Sequence, residues 1–252
     1  MNTLKELKNN WNEFGKTIPF VAILNSPGKK HEGWNVKDFF QTGVDEIQIV
    51  TDYLEKFDLL LSGRKAMDFG CGAGRLTQAL AKQCSAVVGI DISKSMIGLA
   101  RKYNIYTDNC SYMEISDDNL SFLENESIDF IYSNIVLQHI APEFSTNYIK
   151  EFLRILNPGG LILFQLPAKK IVKKRSAIKR IVPEPIYNLT YKIRDLIRYL
   201  RRGKQPVMEM HCIPKNEILE LVKCHGGETI DIVEDQSAGL RYEGYRYLVR
   251  KL

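Results

Sequence analysis

The stretch Asp68-Phe69-Gly70-Cys71-Gly72-Ala73-Gly74-Arg75 sets three glycines at alternate positions behind an acid. Glycines so spaced let a chain turn sharply and let a ligand come close against the main chain. The helix that follows such a turn presents unpaired N–H groups. Asp91 ends the next apolar run, 17 residues after Gly74, and a carboxylate there can accept both hydroxyl hydrogens of a ribose. Together these features point to an adenosine-containing ligand. A pyrophosphate-binding turn is spaced GxGxxG; here the spacing is GxGxG, and Asp68 stands two residues before Gly70. A carboxylate beside the loop repels a pyrophosphate and suits a cation, such as the amino group of an amino acid. His139 and His211, with Glu209 behind them, are the candidate general bases. Each also reads as a packing or capping histidine. No spacing of His, Cys, Asp and Glu suggests a metal site.

The elements that must position these residues follow from hydrophobic periodicity. Residues 65–70, 85–91, 110–115, 127–134 and 161–166 read as short, nearly continuous apolar strands. Helical stripes lie between them at 75–84, 93–103 and 143–156, with Ser93 as a cap and Asn157-Pro158-Gly159-Gly160 as a stop. Residues 44–61 carry apolar positions at a period near 3.6. Such alternation argues for a parallel sheet flanked by helices. After residue 166 the pattern breaks. A helix at 214–227 and two closely linked strands, 228–233 and 244–250, then suggest an antiparallel hairpin. Four regions result: a helical cap segment over 1–60, a ligand-binding core over 61–166, a basic insertion over 167–212, and a helix and hairpin over 213–252 that complete the core.

Composition bounds the rest. The chain has 252 residues, 44% apolar and 26% charged, which fits a globular domain with a sizeable core. No run approaches a membrane span, and the polar N-terminus lacks a signal-peptide apolar region, so the cytoplasm is the expected compartment. Five cysteines without a CxxC pair read as reduced thiols. The net charge is +5, yet residues 169–204 hold 13 Lys/Arg against two acids, a local charge of +11. Within them, 186–200 carries a helical apolar stripe with basic residues on its other faces. Such a segment suits an anionic membrane surface, a partner, or a cover over a substrate pocket. A nucleic-acid role is disfavoured, because no RNA module or aromatic stacking face accompanies the charge. Nothing in the sequence sets an oligomeric state.

Residues 66–80, 86–103, 127–140 and 153–167, in this order and spacing, resemble the class I S-adenosylmethionine (SAM)-dependent methyltransferases. The resemblance implies an α/β fold: a seven-stranded, mostly parallel Rossmann-like sheet with an antiparallel C-terminal hairpin and helices on both faces. It implies that Asp68, Gly70, Gly72 and Gly74 line the methionine part of SAM, that Asp91 binds the ribose, and that Ile92 packs on the adenine. Asp118 or Asn119 would reach the adenine amino group, and Ser133 and Asn134 would lie beside the reactive methyl. Residues 33–43 resemble a segment that closes over SAM in some members, with Trp34, Phe39 and Phe40 as shields. The expected activity is methyl transfer by in-line displacement, without a metal, releasing S-adenosylhomocysteine (SAH). The expected acceptor is an oxygen of a small molecule or saccharide, anionic or lipid-linked at the inner membrane face, with specificity in 167–212. The alternatives are N- or O-methylation of a natural-product or other small-molecule intermediate, and a non-catalytic SAM-binding partner subunit.

Overall fold

Short apolar strands that alternate with amphipathic helices have few ways to bury both faces, and a doubly covered parallel sheet is the commonest. The computed structural model adopts it; the residues it describes are 3–24, 33–171 and 205–252. Their elements are α1 (Leu4–Thr17), α2 (Pro19–Ile23), α3 (Val36–Glu55), β1 (Lys65–Phe69), α4 (Arg75–Ala81), β2 (Ala86–Asp91), α5 (Lys94–Lys102), β3 (Cys110–Glu114), β4 (Ile128–Ser133), a 3₁₀ turn (Leu137–His139), α6 (Pro142–Ile155), β5 (Leu156–Lys170), α7 (Lys215–Cys224), β6 (Gly227–Glu234) and β7 (Tyr242–Lys251). The seven strands form one sheet in the order β3-β2-β1-β4-β5-β7-β6. β7 runs antiparallel to both of its neighbours, while β1 to β5 pair in parallel. This is the fold class expected from the sequence.

Each strand divides its side chains between two cores. On β4, Phe130 and Tyr132 join Ile47, Val50 and Leu80 of α3 and α4. Ile131 faces the other way, among Ile149 and Phe152 of α6 and Ile218 of α7. The switch of strand order beside β1 opens a crevice at the carboxyl ends of β1, β2 and β4, where ligands of such sheets bind.

Several boundaries differ from the sequence reading. α3 starts at Val36 because the Asn35 side chain caps it, accepting the Lys37 N–H at 2.8 Å. β5 begins at Leu156, just before the supposed stop and at the expected last residue of the helix: Leu156 pairs with Ile128, a bulge absorbs Asn157-Pro158-Gly159-Gly160, and Leu161 resumes pairing with Phe130. It also runs on to Lys170, because β7 supplies partners as far as Tyr242. Of the basic stretch 169–204, residues 172–204, including the helical stripe 186–200, lie outside the described residues. No helix among the described residues is long and apolar enough to cross a membrane.

Candidate active site

The glycine turn leaves β1 and enters α4 with φ of 78° at Gly70, 53° at Gly72 and 84° at Gly74, a region that side chains strongly disfavour. Space gives a second reason for glycine. A Cβ on Gly70 would collide with the Val136 side chain, and one on Gly72 would meet Ile23 at 2.7 Å. Asp91 ties the turn to the next helix. Its Oδ2 accepts the Gly72 N–H at 2.8 Å and its Oδ1 the Ser93 N–H at 2.7 Å. Each carboxylate oxygen keeps a lone pair for another donor. Burial pushes the Asp91 carboxyl up to about 6, against the pull of these N–H groups. Asp68 lies beneath the turn, 1% exposed, and accepts the Thr77 hydroxyl at 2.6 Å. Burial also pushes it up to about 6.

Gly70, Gly72 and Asp91 open onto a cavity of about 80 Å³. Ile92, Ile115, Ile140 and Tyr148 form an apolar wall, and Asn134 and His139 bring polar groups. Among the described residues no Lys or Arg lines it. Its remaining wall comes from Leu7 and Trp11 of α1 and Ala22 and Ile23 of α2. α1 is held there by Asn12, whose Oδ1 accepts the Ser95 N–H at 3.1 Å and whose carbonyl accepts the Ser95 hydroxyl at 2.8 Å. Lys8 adds an ion pair to Glu114 at 2.7 Å. Ordinary ligand pockets hold roughly 300 Å³ or more, so α1 and α2 form a close cover over the glycine turn.

The other expected site residues are more scattered. Ser133 is buried with its hydroxyl unpartnered and does not line the cavity. Asp118 and Asn119 lie at the turn after β3 and do not line the cavity. The Asp118 carbonyl accepts Asn147 Nδ2 at 2.6 Å, and Asn119 Oδ1 accepts the Ser121 N–H at 3.1 Å. From that turn it is Ile115 that reaches the cavity. Trp34 and Phe39 do not line it either. Phe39 is fully buried, stacked on Phe20 of α2 at 4.3 Å and set edge-on to Trp34 and Phe40. Residues 33–43 therefore prop α2 from behind, and it is α2, with α1, that closes over the glycine turn.

His139 sits on the 3₁₀ turn, 5% exposed, with the Trp11 ring 5.4 Å from its own. Its Nδ1 lies 2.6 Å from the Glu209 carbonyl. A carbonyl only accepts, so Nδ1 carries the proton and Nε2 has the free lone pair. Gln138 Nε2 approaches that lone pair at 3.2 Å. Burial holds the imidazole below its usual range, which favours the neutral form. His211 is drawn close but faces elsewhere. Its N–H donates to the Gln138 carbonyl at 2.7 Å, its Nε2 lies 3.2 Å from Glu209 Oε2, and it does not line the cavity. Among the described residues no three His, Cys, Asp or Glu gather as a metal site.

An acid-bound glycine turn, an apolar slot and a neutral imidazole in one crevice narrow the chemistry, and comparison with known proteins narrows it further. Residues 67–164 match the family described as "Methyltransferase domain". Those residues are similar to a methyltransferase domain, and the sheet they belong to has the fold of solved methyltransferases. The matched stretch runs from within β1 to within β5 and includes the glycine turn, Asp91 and His139. The chain is 29% identical over 167 residues to the ubiquinone biosynthesis O-methyltransferase of Methylococcus capsulatus, covering 63% of this chain and 70% of that protein. It is 26% identical over 148 residues to the enzyme of the same description from Pseudomonas fluorescens Pf0-1, covering 58% of this chain and 62% of that protein. The fold also matches the crystal structure of magnesium protoporphyrin IX methyltransferase from Synechocystis PCC 6803 with bound SAH. There the TM-score is 0.64 at 16% identity, over 99% of both chains.

Sequence reasoning missed three contributors to the methyltransferase domain's crevice. Leu7, Trp11 and Ile23 come from a segment whose helical pattern says nothing of where it docks; only the amphipathic face of α1 signals that something covers it. Ile135, beside Asn134, has φ of 60°, costly for a β-branched side chain. Such strain persists where the surroundings over-determine it, and it gathers at functional sites.

Proposed function

We propose that this protein transfers the methyl group of SAM to an oxygen of a small-molecule acceptor, with His139 as the general base. When bound, SAM supplies a methyl group already activated by its sulfonium sulfur. The residues present fit that cofactor. Asp91 keeps lone pairs for two ribose hydroxyls, Ile92 and Ile115 flank an adenine, and the glycine turn admits the methionine part against bare backbone. A lining without cationic side chains among the described residues suits a ligand that has an ammonium and no phosphate. Asp68, ionised beneath the turn, favours the same positive charge.

The observation that carries the reading is His139. A buried, neutral imidazole lines the same cavity as Asp91, with its proton fixed on Nδ1. Nε2 takes the proton of an acceptor hydroxyl once the Gln138 amide swings aside. The Glu209 carbonyl, still accepting from Nδ1, steadies the imidazolium that forms. Trp11 and α2 exclude water from the reacting groups. The main remaining work is alignment, since proximity alone lowers such a barrier by several kcal/mol.

The test is to incubate the purified protein with methyl-labelled SAM and an extract of its source cells, and to follow the label. Label in the aqueous small-molecule fraction supports a soluble metabolite or saccharide acceptor. Label in the organic-solvent phase supports a lipid-linked one, the reading suggested by the charge of 169–204. Binding of SAM with no transfer to any fraction refutes the catalytic reading and supports a non-catalytic partner subunit.

A further inference from the structure

Glu46, on the third turn of α3, does more than bind a helix to the sheet. One carboxylate oxygen, Oε1, accepts three hydrogen bonds: from the Tyr132 hydroxyl of β4 at 2.6 Å, from Asn134 Nδ2 at 3.2 Å, and from Arg246 Nη2 of β7 at 3.2 Å. Arg246 is held in turn by Asp235 at 3.1 Å. Tyr132 and Arg246 thus fix Glu46, and Glu46 fixes Asn134. The orientation of the Asn134 amide follows, because a carboxylate accepts only from the –NH₂ end. Its Oδ1 must therefore point away from Glu46. That oxygen is buried and has no partner among the described residues, yet Asn134 lines the cavity beside the glycine turn. An unsatisfied buried acceptor is costly, and a ligand donor is one way to satisfy it. An amide whose N–H groups donate to a carboxylate is polarised, so its oxygen is a stronger acceptor. Strained Ile135 follows directly in the chain, and the anchored Asn134 side chain helps hold it there.

We propose that Glu46 is a positioning residue that holds the Asn134 amide so that Oδ1 accepts a hydrogen bond from the ammonium of the cofactor's methionine part. The proposal rests on the SAM reading above and goes beyond it, since Glu46 lies outside the cavity wall and acts only through Asn134. A cation is the fitting donor here. Asp68 lies under the same turn, and the positive charge of Arg246 is already shared between two carboxylates.

Two ligands separate positioning from plain scaffolding: SAH, which carries the ammonium, and 5′-methylthioadenosine, which has the nucleoside and no amino-acid part. Both are titrated by calorimetry into the wild type, Glu46→Ala, Asn134→Ala, the double variant and Glu46→Gln. Each single alanine is expected to weaken SAH about tenfold or more and to leave methylthioadenosine within about twofold. The double variant is expected to bind SAH no worse than about threefold below the weaker single, since the two residues act in series. Glu46→Gln keeps a carbonyl oxygen and is expected within about threefold of the wild type. Should Glu46→Ala not fold, Glu46→Asp takes its place, keeping the charge beside Arg246 while withdrawing the oxygen by one bond. Equal losses for both ligands, or fully additive losses in the double variant, would overturn the proposal. Loss of SAH binding in no variant would show that a bridging water satisfies Asn134, and would overturn it too. Failure of the wild type to bind SAH at all would instead strike the cofactor reading itself.

Discussion

Replacing Asp91 by alanine should separate ligand binding from folding. In the folded protein its two oxygens accept the Gly72 and Ser93 N–H groups at 2.8 and 2.7 Å. Losing them leaves two backbone donors short, at roughly 1–3 kcal/mol each. Against this stands the cost of an ionised carboxylate in the crevice. The rise of the Asp91 carboxyl from 3.8 to about 6 corresponds to about 3 kcal/mol at neutral pH. The two nearly offset, so Asp91→Ala should melt within a few degrees of the wild type. Binding has no such offset. Two ribose hydroxyls lose a charged acceptor worth about 1.5–3 kcal/mol per bond gross, and solvent returns part of that. The expected loss of SAH affinity is therefore at least about tenfold, or about 1.4 kcal/mol, and up to a few hundredfold. Calorimetric titration beside a thermal melt measures both. Affinity within about threefold of the wild type, in a variant that melts normally, would refute the ribose assignment.

Asp68 makes an unusual pH prediction. Its folded value of about 6 stands above the ordinary 3.8, so its contribution to stability is complete below 3.8 and is lost as the pH rises through 6. Asp68→Asn should thus melt above the wild type at pH 8 and beside it at pH 4; equal shifts at both would contradict this. For His139 the neutral form is the working one and burial lowers its value below 6.5. The acid limb of kcat/KM should then have its midpoint below 6.5, and His139→Ala should lower kcat by about 10²–10⁴ with SAH affinity little changed. A pH profile that keeps the same acid limb in the variant would exclude His139 as the base. Ile23→Ala removes the side chain that presses on Gly72 and should speed SAH association in stopped-flow fluorescence; an unchanged rate would mean that α2 does not gate the cavity.

How far the sequence reaches depends on whether a residue's role is local. Gly70, Gly72 and Gly74 were legible because positive φ requires glycine. Asp91 was legible because a strand end places it without any long-range information. The order of β1 to β5 followed from periodicity, and the final hairpin from the short link between its strands. Trp34 and Phe39 are expected over the ligand because residues 33–43 resemble a closing segment. In the structure Phe39 stacks on Phe20 of α2, with Trp34 edge-on to Phe39, a contact no local pattern signals. For Asp118 and Asn119 the resemblance implies an adenine contact; in the structure the Asp118 carbonyl accepts from Asn147 of α6 and Asn119 Oδ1 from the Ser121 N–H. Glu46 gave no signal at all. A glutamate on an amphipathic helix is ordinary, and its three donors come from β4, the residue after it, and β7, close together only in the folded sheet.

The most direct measurement is a crystal structure with SAH bound, read for the distance from His139 Nε2 to the SAH sulfur. An acceptor oxygen must fit between them, within hydrogen-bond reach of Nε2 and in line with the departed methyl, which sets about 5–7 Å. The expected result is that separation, with the ribose hydroxyls on Asp91, the adenine between Ile92 and Ile115, and α1 and α2 displaced outward. A nucleoside bound away from Asp91, or an Nε2–sulfur distance beyond about 10 Å, would contradict the proposed chemistry.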